Sequence, residues 1–493
     1  MTLMVIDSLT AKKMDEITTK NQNISSIELM KKAGKSISNS IISNNLIKKE
    51  KNILVLCGPG NNGGDGLEVA RLLFIDEFDV TIFNKETKTK ESSKLLEELP
   101  KNLEIIKQPN FEFLHTFDNY DVIIDALFGT GLNKELEGEY KDIINAINES
   151  NTVVISIDIA SGLNADNGKV MNAAVKADYS ICIDKIKQGQ LINDGLDYSG
   201  IMHLTNIGLS EIKDHFSTYY LNNLKYDYSF KKRLHNTHKY NYGFIHVIGG
   251  KRGMMGAPVL AAYSALKTGS GLSSISYQEA DKPYIMSIYP EIMTNTYQNK
   301  LELLPQLYKK DVIVFGVGMG KSNEENYEIL EYLLSTDKKI LIDADGLFYL
   351  KPLLNKYKNK EIIITPHFNE LANLLDIPLI DLINNPVNYI KDLITKYNIT
   401  CLLKGPSSII GYKNEIFFSS YGTPALATLG SGDVLSGIIA SIYARTSSPI
   451  DATIKGHYIH TLAASLAVNE FNVESVSASD VMANIAKAIN QIM

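Results

Sequence analysis

The sequence has few cysteines, no excess of basic residues and no long apolar run, and each absence bears on the class of protein. Only three cysteines, Cys57, Cys182 and Cys401, occur in 493 residues, each in or beside an apolar stretch and far from the others. An odd, scattered set of this kind indicates buried thiols in a reducing compartment rather than a disulfide framework. The formal net charge of −7 argues against a broad nucleic-acid-binding surface, because such a surface needs a basic face.

No apolar run approaches the roughly 18 residues that a membrane-spanning helix needs. The N-terminal segment MTLMVIDSLTAKKMDEI has acids and lysines where a secretory signal peptide carries its apolar core. We therefore expect a cytoplasmic protein with no membrane and no nucleic-acid partner. With 44% hydrophobic and 21% charged residues, the composition is that of a soluble globular chain, long enough for two or more domains.

Two successive α/β segments predict two domains. In the first, short Val- and Ile-rich stretches such as KNILVLCG, DVIIDALFG and TVVISIDIAS alternate with helical patterns, which predicts a parallel sheet covered on both faces. The second segment begins at GFIHVIGG and repeats this pattern in DVIVFGVG, KKILIDADG, EIIITPH and TCLLKG. Residues 212–242 are polar and show no sustained period, so we place the boundary there, with domains at 1–215 and 225–493.

The nine residues GPGNNGGDG, Gly58 to Gly66, directly follow the first long apolar strand. A glycine-rich loop between a strand and a helix lets main-chain N–H groups face a ligand, and its spacing fits GxGxxG. No Lys-Ser or Lys-Thr follows, which excludes a P-loop. Asn61, Asn62 and Asp65 add oxygen ligands for a hard cation, or hydrogen bonds to a polar ring. Taken alone, the segment is explained about equally well as a tight strand-to-helix turn.

Two further strand ends place polar oxygens next to glycines. Asp125 begins the segment DALFGTGL, and Asp158 begins the segment DIASGL. Because ligands bind beyond the carboxyl ends of the strands in an open parallel sheet, we expect these loops to converge with the glycine-rich loop. Each aspartate alone is an ordinary turn former, but the three loops together predict a binding site.

Together with LMKKAG (Leu29 to Gly34), these segments resemble the NAD(P)H-hydrate epimerases, a Rossmann-like family that acts on damaged nicotinamide cofactors. The resemblance spans roughly residues 1–210. It implies a potassium ion held by Asn62, Asp125 and Ser161. The hydrate-binding residues that it implies are Asn61, Asn62, Gly63, Gly64, Asp65, Gly129, Thr130, Gly131, Leu132, Asn133, Lys134, Glu135, Tyr140 and Asp158. Ala160 stands where the family usually has Pro, a difference that removes no functional group.

In the second segment, ATLGSGDVLSG (Ala427 to Gly437) opens an apolar helix. Its Gly-Ser-Gly turn leaves main-chain N–H groups free at the helix N-terminus, where they suit a phosphate, and Asp433 lies in the first turn. A carboxylate at that position takes a proton from a hydroxyl during phosphoryl transfer. An ordinary helix start with an acidic residue at its favoured end is the simpler alternative.

Three more segments favour a ligand site at the same edge. KGPSS (Lys404 to Ser408) places a cation and hydroxyls beside a tight turn, and TPHFNE places His367 at a strand end. GGKRGMMGAP lies between a strand and a helix, with Ala257 followed by a proline that suits a helix start. His457 and His460, three residues apart on a helix, are interpreted as surface or core residues that require no metal.

From about residue 230 the chain resembles the ribokinase-like NAD(P)H-hydrate dehydratases. The segments HKYNYGFIHVIGG, GAP, FGVGMG, TPHFNE, KGPSS and GSGD occur in that family's order. The resemblance implies that the hydrate is contacted by Ala257, Gly318, His367 and Asp433. It implies that the adenine nucleotide is contacted by Lys404, Gly405, Pro406, Ser407, Ser408 and Gly432. Fusion to an epimerase favours ADP, with magnesium, because bacterial dehydratases of the fused type use ADP.

The two resemblances together imply an α/β protein with a Rossmann-like α/β/α sandwich followed by a ribokinase-like α/β sandwich. Its implied activity is cofactor repair: R and S forms of NADH hydrate and NADPH hydrate are interconverted, with Asp158 handling a proton. The S form is then dehydrated at the expense of ADP, with Asp433 as the base. We also expect a homo-oligomer. Two alternatives stay open, a ribokinase-like small-molecule kinase with a cofactor-binding first domain, and a cofactor sensor or scaffold without catalysis.

Overall fold

A computed structural model describes residues 3–108, 111–212, 216–221, 226–230, 233–278 and 289–493. The chain divides into two compact units, Leu3–Thr218 and Tyr219–Met493, which we call the first and the second unit. Both units combine parallel sheets with helices, which confirms the predicted α/β fold class. Within the described ranges, no helix is both long enough and apolar enough to cross a membrane.

The first unit contains a parallel sheet. Its strands are β1 (Leu3–Ile6), β2 (Asn52–Cys57), β3 (Asp79–Asn84), β4 (Glu104–Ile106), β5 (Val122–Ala126), β6 (Val153–Ile157), β7 (Tyr179–Ile183), β8 (Ile186–Lys187) and β9 (Ile201–Thr205). Its helices are α1 (Ser8–Gln22), α2 (Ser26–Ser43), α3 (Asn61–Ile75), α4 (Lys90–Glu97), α5 (Phe111–Leu114), α6 (Glu139–Glu149) and α7 (Gly195–Tyr198). The sheet order is β4-β3-β2-β5-β6-β7-β9, and β1 pairs separately with β8.

Helices cover both faces of this sheet. Leu67 of α3 packs with Val55 of β2 on one face, and Ile144 of α6 packs with Leu54 on the other. Since neighbouring residues of a strand point to opposite faces, β2 is apolar throughout. The chain order reverses between β2 and β5, because β3 and β4 continue on one side and β6 on the other. The carboxyl ends of β2 and β5 therefore form the switch point at which such sheets bind ligands.

The second unit repeats this arrangement with a longer sheet. After a short strand at its border, β10 (Ser217–Tyr220), the strands are β11 (Phe244–Ile248), β12 (Leu272–Gln278), β13 (Met293–Tyr297), β14 (Val312–Phe315), β15 (Lys339–Ile342), β16 (Ile362–Ile364), β17 (Ile399–Leu403), β18 (Ser408–Tyr412) and β19 (Glu415–Ser419). The helices are α8 (Gly256–Lys267), α9 (Lys300–Leu303), α10 (Glu325–Ser335), α11 (Gly346–Leu350), α12 (Phe368–Leu375), α13 (Leu379–Asn384), α14 (Pro386–Lys396), α15 (Ser431–Tyr443), α16 (Pro449–Glu470) and α17 (Ala478–Ile492).

Strands β13-β12-β11-β14-β15-β16-β17 are parallel in that order, and β18 and β19 extend the sheet as an antiparallel hairpin. Buried apolar residues of α8, α15, α16 and α17, among them Ala261, Ile438, Ile459 and Ile485, form one core cluster with the strands. The order of the strands reverses between β11 and β14. This unit therefore has its own switch point, and α8 begins beside it.

Candidate active sites

The glycine-rich loop of the first unit passes directly from β2 into α3, which begins at Asn61. A Cβ on Gly63 would lie 1.9 Å from the carbonyl oxygen of Gly58, and one on Gly58 would lie 1.7 Å from that of Leu127. Only glycine permits this close approach of main chains. The start of α3 is thereby pressed against the loop that follows β5.

Asp125, at the carboxyl end of β5, is the centre of a buried group of oxygen atoms. Its carboxylate accepts hydrogen bonds from the main-chain N of Ser161 at 2.9 Å, from Ser161 Oγ at 2.5 Å and from Ser156 Oγ at 2.8 Å. Burial raises the pKa of Asp125, while the hydrogen bonds from Ser161 and Ser156 lower it. No lysine or arginine in the described part of the chain forms an ion pair with this carboxylate, so its charge is offset by hydrogen bonds alone.

Asn62 reaches the same loop from α3. A Cβ on Gly129 would lie 3.2 Å from Asn62 Oδ1, which places the amide under the turn after β5. Asn62 Nδ2 is buried and finds no hydrogen-bond partner among the described residues. The structure thus joins Asp125 to Ser161 directly and places Asn62 beside them. Carboxylate, hydroxyl and amide oxygens around an unpaired buried charge make a donor set that fits a hard monovalent cation.

A second group of side chains lies nearby, and we call Asp15, Asp65, Asp158 and Lys187 the acid cluster. Asp158 follows β6 in the left-handed backbone region, with φ of 67°. Its carboxylate forms an ion pair with the buried Lys187 ammonium and accepts a hydrogen bond from the main-chain N of Ile183 at 3.0 Å. Lys187 Nζ also donates to the carbonyl oxygen of Lys185 at 3.0 Å. Asp158 is therefore fixed in place and its charge is compensated.

Asp65 differs from Asp158 although it belongs to the same cluster. It is half-buried in α3, and its carboxyl forms no hydrogen bond with any residue the structure describes. Burial raises the pKa of Asp65 well above its usual range, Asp158 and Asp15 raise it further, and Lys187 opposes them. Burial and Asp158 also raise the pKa of Asp15 to about 6.

The other predicted hydrate-binding residues surround these groups less closely. Tyr140 of α6 meets Phe128 edge-on, with ring centroids 5.0 Å apart, and its hydroxyl is buried without a partner among the described residues. Burial, with Glu86 and Glu139, raises the pKa of Tyr140 to about 12. Gly64 packs against Met30 of α2. Thr130 and Leu132 are partly exposed. The exposed members of this set are Asn61, Gly131, Asn133, Lys134 and Glu135.

In the second unit, α15 begins at Ser431 after Gly430, whose φ of 88° favours glycine. No described side chain caps this helix, and although the main-chain N of Ser431 donates to the carbonyl oxygen of Thr428, the N–H groups of Gly432 and Asp433 remain available. A Cβ on Gly432 would lie 3.2 Å from Lys404 Nζ. The start of α15 and the Lys404 ammonium therefore face one another, an arrangement that suits a phosphate.

Lys404 belongs to a second charged group, with Asp343, Glu370 and Asp433. Lys404 Nζ lies 2.8 Å from Asp343 Oδ1, and Ser436 Oγ donates to the other oxygen of Asp343 at 2.7 Å. Burial lowers the pKa of Lys404, but Asp343 and Glu370 outweigh burial and leave it raised. Asp433 forms no hydrogen bond or ion pair within the described residues, and burial, with Asp343, raises its pKa to about 7.

Gly318 and Ala257 meet at the switch point of the second unit. A Cβ on Gly318, which has φ of 63°, would lie 3.0 Å from the Ala257 Cβ. His367 caps α12, with its Nδ1 accepting from the main-chain N of Glu370 at 3.3 Å, and its side chain is exposed. Residues His367 and Lys404 also form an isolated β-bridge, so the turn after β16 adjoins the turn after β17.

The segment Lys404–Ser408 is divided between the site and the core. Gly405 and Pro406 are exposed, whereas Ser407 and Ser408 are buried, and Ser407 Oγ donates to the carbonyl oxygen of Ser419. His457 and His460 are buried core residues, hydrogen-bonded to Ser419 and Ser431 respectively. Of the two interpretations, surface or core, the structure supports the core.

Sequence reasoning missed Asp15, Lys187, Asp343 and Glu370. Asp343 directly follows β15 and Lys187 directly follows Ile186 in β8, so both occur at strand ends in the sequence. Asp343 lies in the segment IDADG, which the sequence indicates only as the end of a strand. Glu370 lies in HFNE, which the sequence indicates only as the turn that contains His367. A charged residue directly after an apolar strand is the signal that points to Asp343.

Two family models match the chain. One, described as NAD(P)H-hydrate dehydratase, matches residues 245–487, and the other, described as YjeF-related protein N-terminus, matches residues 26–189. A bifunctional NAD(P)H-hydrate repair enzyme from Coxiella burnetii is 31% identical over 477 residues, which cover 95% of this chain and 96% of that protein. The chain belongs to the family of bifunctional NAD(P)H-hydrate repair enzymes. Family membership confirms both resemblances seen in the sequence and shows that the chain is an enzyme.

Other relatives agree with this membership. A bifunctional NAD(P)H-hydrate repair enzyme from Dictyoglomus turgidum is 29% identical over 513 residues, covering 100% of this chain and 99% of that protein. A solved ribokinase-like superfamily protein from Enterococcus faecalis superposes with a TM-score of 0.50 and 22% identity, over 57% of this chain and 98% of the other. This likeness concerns the fold alone and confirms the predicted ribokinase-like architecture.

Proposed function

We propose that the chain restores hydrated nicotinamide cofactors in two steps. The domain at 1–215 interconverts the R and S forms of NADH hydrate and NADPH hydrate, and the domain at 225–493 dehydrates the S form at the expense of ADP. The observation that carries the proposal is the unpaired Asp433, which lies in the first turn of α15 beside the Lys404–Asp343 ion pair. A stereospecific dehydratase consumes one epimer only, so an epimerase in the same chain makes the other epimer available.

In the second domain we assign Asp433 as the base for the C6 hydroxyl. Hydroxide is a poor leaving group, whereas phosphate leaves readily, so transfer of a phosphoryl group from ADP to this oxygen prepares elimination. Loss of phosphate from C6 and of a proton from C5 then regenerates the dihydropyridine. A pKa of about 7 suits a base at neutral pH. The main-chain N–H groups of Gly430 to Gly432 and the Lys404 ammonium offset the charge of the moving group.

Ligand contacts in this domain follow from the placement of its loops. Ala257, Gly318 and His367 are proposed to contact the hydrate with Asp433, and the nucleotide is proposed to lie along Lys404, Gly405, Pro406 and Gly432. Ser407 and Ser408 support that turn from the core side. Magnesium is proposed to accompany ADP and would offset phosphate charge, since carboxylate and phosphate oxygens are its preferred ligands.

In the first domain we propose that potassium is held by Asn62, Asp125 and Ser161. The buried Asp125 charge without an ionic partner supports this assignment, as does Asn62 Oδ1, which lies at the turn after β5. When bound, the ion would orient the hydrate. Asp158 is proposed to contact the hydrate and to take part in handling its proton. The remaining hydrate contacts are proposed at Asn61, Gly63, Gly64, Asp65, Gly129 to Glu135 and Tyr140.

We further propose a cytoplasmic location and a homo-oligomer. Three buried cysteines, all free, support a reducing compartment. Oligomerisation receives no support from α16, whose apolar segment HTLAASLAVNEF is used largely in the core of the second unit.

Recovery of the near-ultraviolet absorbance of reduced nicotinamide tests the proposal. A mixture of both epimers of NADH hydrate is incubated with the enzyme, potassium and magnesium, and with ADP, ATP or neither nucleotide. We expect full recovery with ADP. Recovery that stops at the S fraction would contradict the epimerase half, and no recovery with either nucleotide would favour the small-molecule kinase.

A further inference from the structure

We propose that Asp65 donates the proton to the C6 hydroxyl of the hydrate in the first site. In the same proposal Lys187 is a positioning residue that holds Asp158 as the neighbouring carboxylate. The inference rests on the proposed epimerase function and assigns its acid.

The two carboxyl groups differ in what already binds them. The Asp158 carboxylate is paired with the Lys187 ammonium and accepts a hydrogen bond from the main-chain N of Ile183. Gln190 Nε2 donates to the main-chain carbonyl oxygen of Asp158 at 3.1 Å. Asp65 has no such partner in the described structure and stays half-buried in α3, the helix that begins at the switch point. Asp158 is therefore already engaged by an ammonium group, whereas the carboxyl of Asp65 remains available to a ligand.

The surroundings of Asp65 favour its protonated form. The charged groups that act on it are Asp158 from the loop after β6, Asp15 from α1 and Lys187 from β8. Two carboxylates and one ammonium surround it, and the ammonium is already bound to Asp158. Burial and the two neighbouring carboxylates therefore favour the protonated form of Asp65.

The second site contains a similar arrangement of side chains. There the Lys404 ammonium is bound to Asp343, and the adjacent Asp433 is unpaired and reactive in the proposed mechanism. In both units, therefore, one aspartate is bound by a lysine and a second remains free. Asp65 is the unpaired aspartate next to the Asp158–Lys187 ion pair, and Asp433 is the unpaired aspartate next to the Asp343–Lys404 ion pair.

The step balances without a further reactant. The Asp65 proton passes to the C6 hydroxyl, the C6–O bond breaks with its electron pair leaving on water, and the N1 lone pair forms the N1=C6 bond. The resulting ring cation lies beside the Asp158 carboxylate. Water then adds to the opposite face of C6, the N1=C6 electrons return to N1, and the water proton passes by way of Asp158 and solvent back to Asp65. The product is the other epimer, and the enzyme is unchanged.

The test compares Asp65→Asn with Asp76→Asn, a matched change of an exposed aspartate at the end of the same helix. Conversion of R into S hydrate is followed chromatographically across pH, without nucleotide. We expect Asp65→Asn to slow conversion at least about a hundredfold, within the range of general acid catalysis, and Asp76→Asn to match the wild type. Asp65→Glu should recover part of the rate.

The pH profile separates catalysis from structure. Wild-type conversion should fall as pH rises through the raised pKa of Asp65, because the protonated form is active. Lys187→Met should move that fall to higher pH, since Lys187 opposes the rise. A protonated-carboxyl infrared band that disappears in Asp65→Asn gives a readout without turnover.

Dehydration of pure S hydrate with ADP serves as the folding control for every variant. Normal epimerisation by Asp65→Asn, or a slow variant with an unchanged alkaline fall, would overturn the assignment. Absence of epimerisation by the wild type, with dehydration intact, would instead overturn the proposed function of the first domain.

Discussion

The two units place a glycine-rich turn at the start of a helix beside their switch points, but they use that turn in different ways. In the first unit the start of α3 is closed by the loop after β5, and Asn62 is buried beneath Gly129. In the second unit no side chain caps the start of α15, and Leu429, two residues before it, is 97% exposed. The same local pattern therefore builds an enclosed group of oxygens in one unit and, in the other, an uncapped helix start at which we propose a phosphate binds.

Asp433→Asn tests the open site with the largest expected effect. Removing the base should lower dehydration of S hydrate by about a thousandfold, within the range of general base catalysis. Epimerisation should continue. In the wild type, dehydration should rise with pH through about 7, because the deprotonated Asp433 is active. Coupled measurements of absorbance recovery and epimer ratio check both statements, with Asp392→Asn on α14 as the exposed control. A variant that dehydrates normally would remove Asp433 from the mechanism.

Asp158→Asn makes the corresponding substitution in the first unit, where it is expected to affect epimerisation. Asparagine tolerates the left-handed backbone at this position, so we expect the fold to persist. The variant replaces a carboxylate by a neutral amide beside the buried Lys187. Epimerisation should fall by about a hundredfold or more, and dehydration of S hydrate should be spared. Equal loss of both activities would show that the two sites do not act separately.

Ser161→Ala sharpens the comparison by weakening the oxygen group around Asp125. The variant removes the hydroxyl that lies 2.5 Å from this carboxylate. We expect a loss of about 1–3 kcal/mol in stability of the first unit, and a weaker stabilisation by potassium than in the wild type. Urea unfolding in potassium chloride and in choline chloride measures both effects. The exposed Ser43→Ala, at the end of α2, should respond like the wild type.

Ser431→Ala should have the smallest effect. Its buried hydroxyl lies 3.2 Å from His460 Nε2, in the core of the unit. Since the proposed phosphate site uses main-chain N–H groups, we expect dehydration within about threefold of wild type and a stability loss of about 1 kcal/mol. Burial lowers the pKa of His460 to about 3, so this effect should not vary between pH 5 and pH 8. A large fall in turnover would assign the hydroxyl a part in binding.

The sequence predicts the strands and their loops well because local patterns determine them. Apolar runs followed by glycines identify the ends of β2, β5, β11 and β14, where both switch points lie. Ion pairs depend instead on which strands become neighbours. Lys187 is 29 residues from Asp158, and Lys404 is 61 residues from Asp343, so no local pattern joins them. The inward direction of Ser407 and Ser408 likewise follows from the β18–β19 hairpin rather than from the KGPSS pattern.

The three buried cysteines can be used to measure local unfolding of each unit without introducing a label site. Cys57 and Cys182 lie in the first unit and Cys401 in the second, and all three are buried strand residues. Burial raises the pKa of each thiol, so the reactive thiolate is scarce while the chain is closed. Pulse labelling with a thiol reagent, read by peptide mass, would therefore time the exposure of each unit separately within one intact chain.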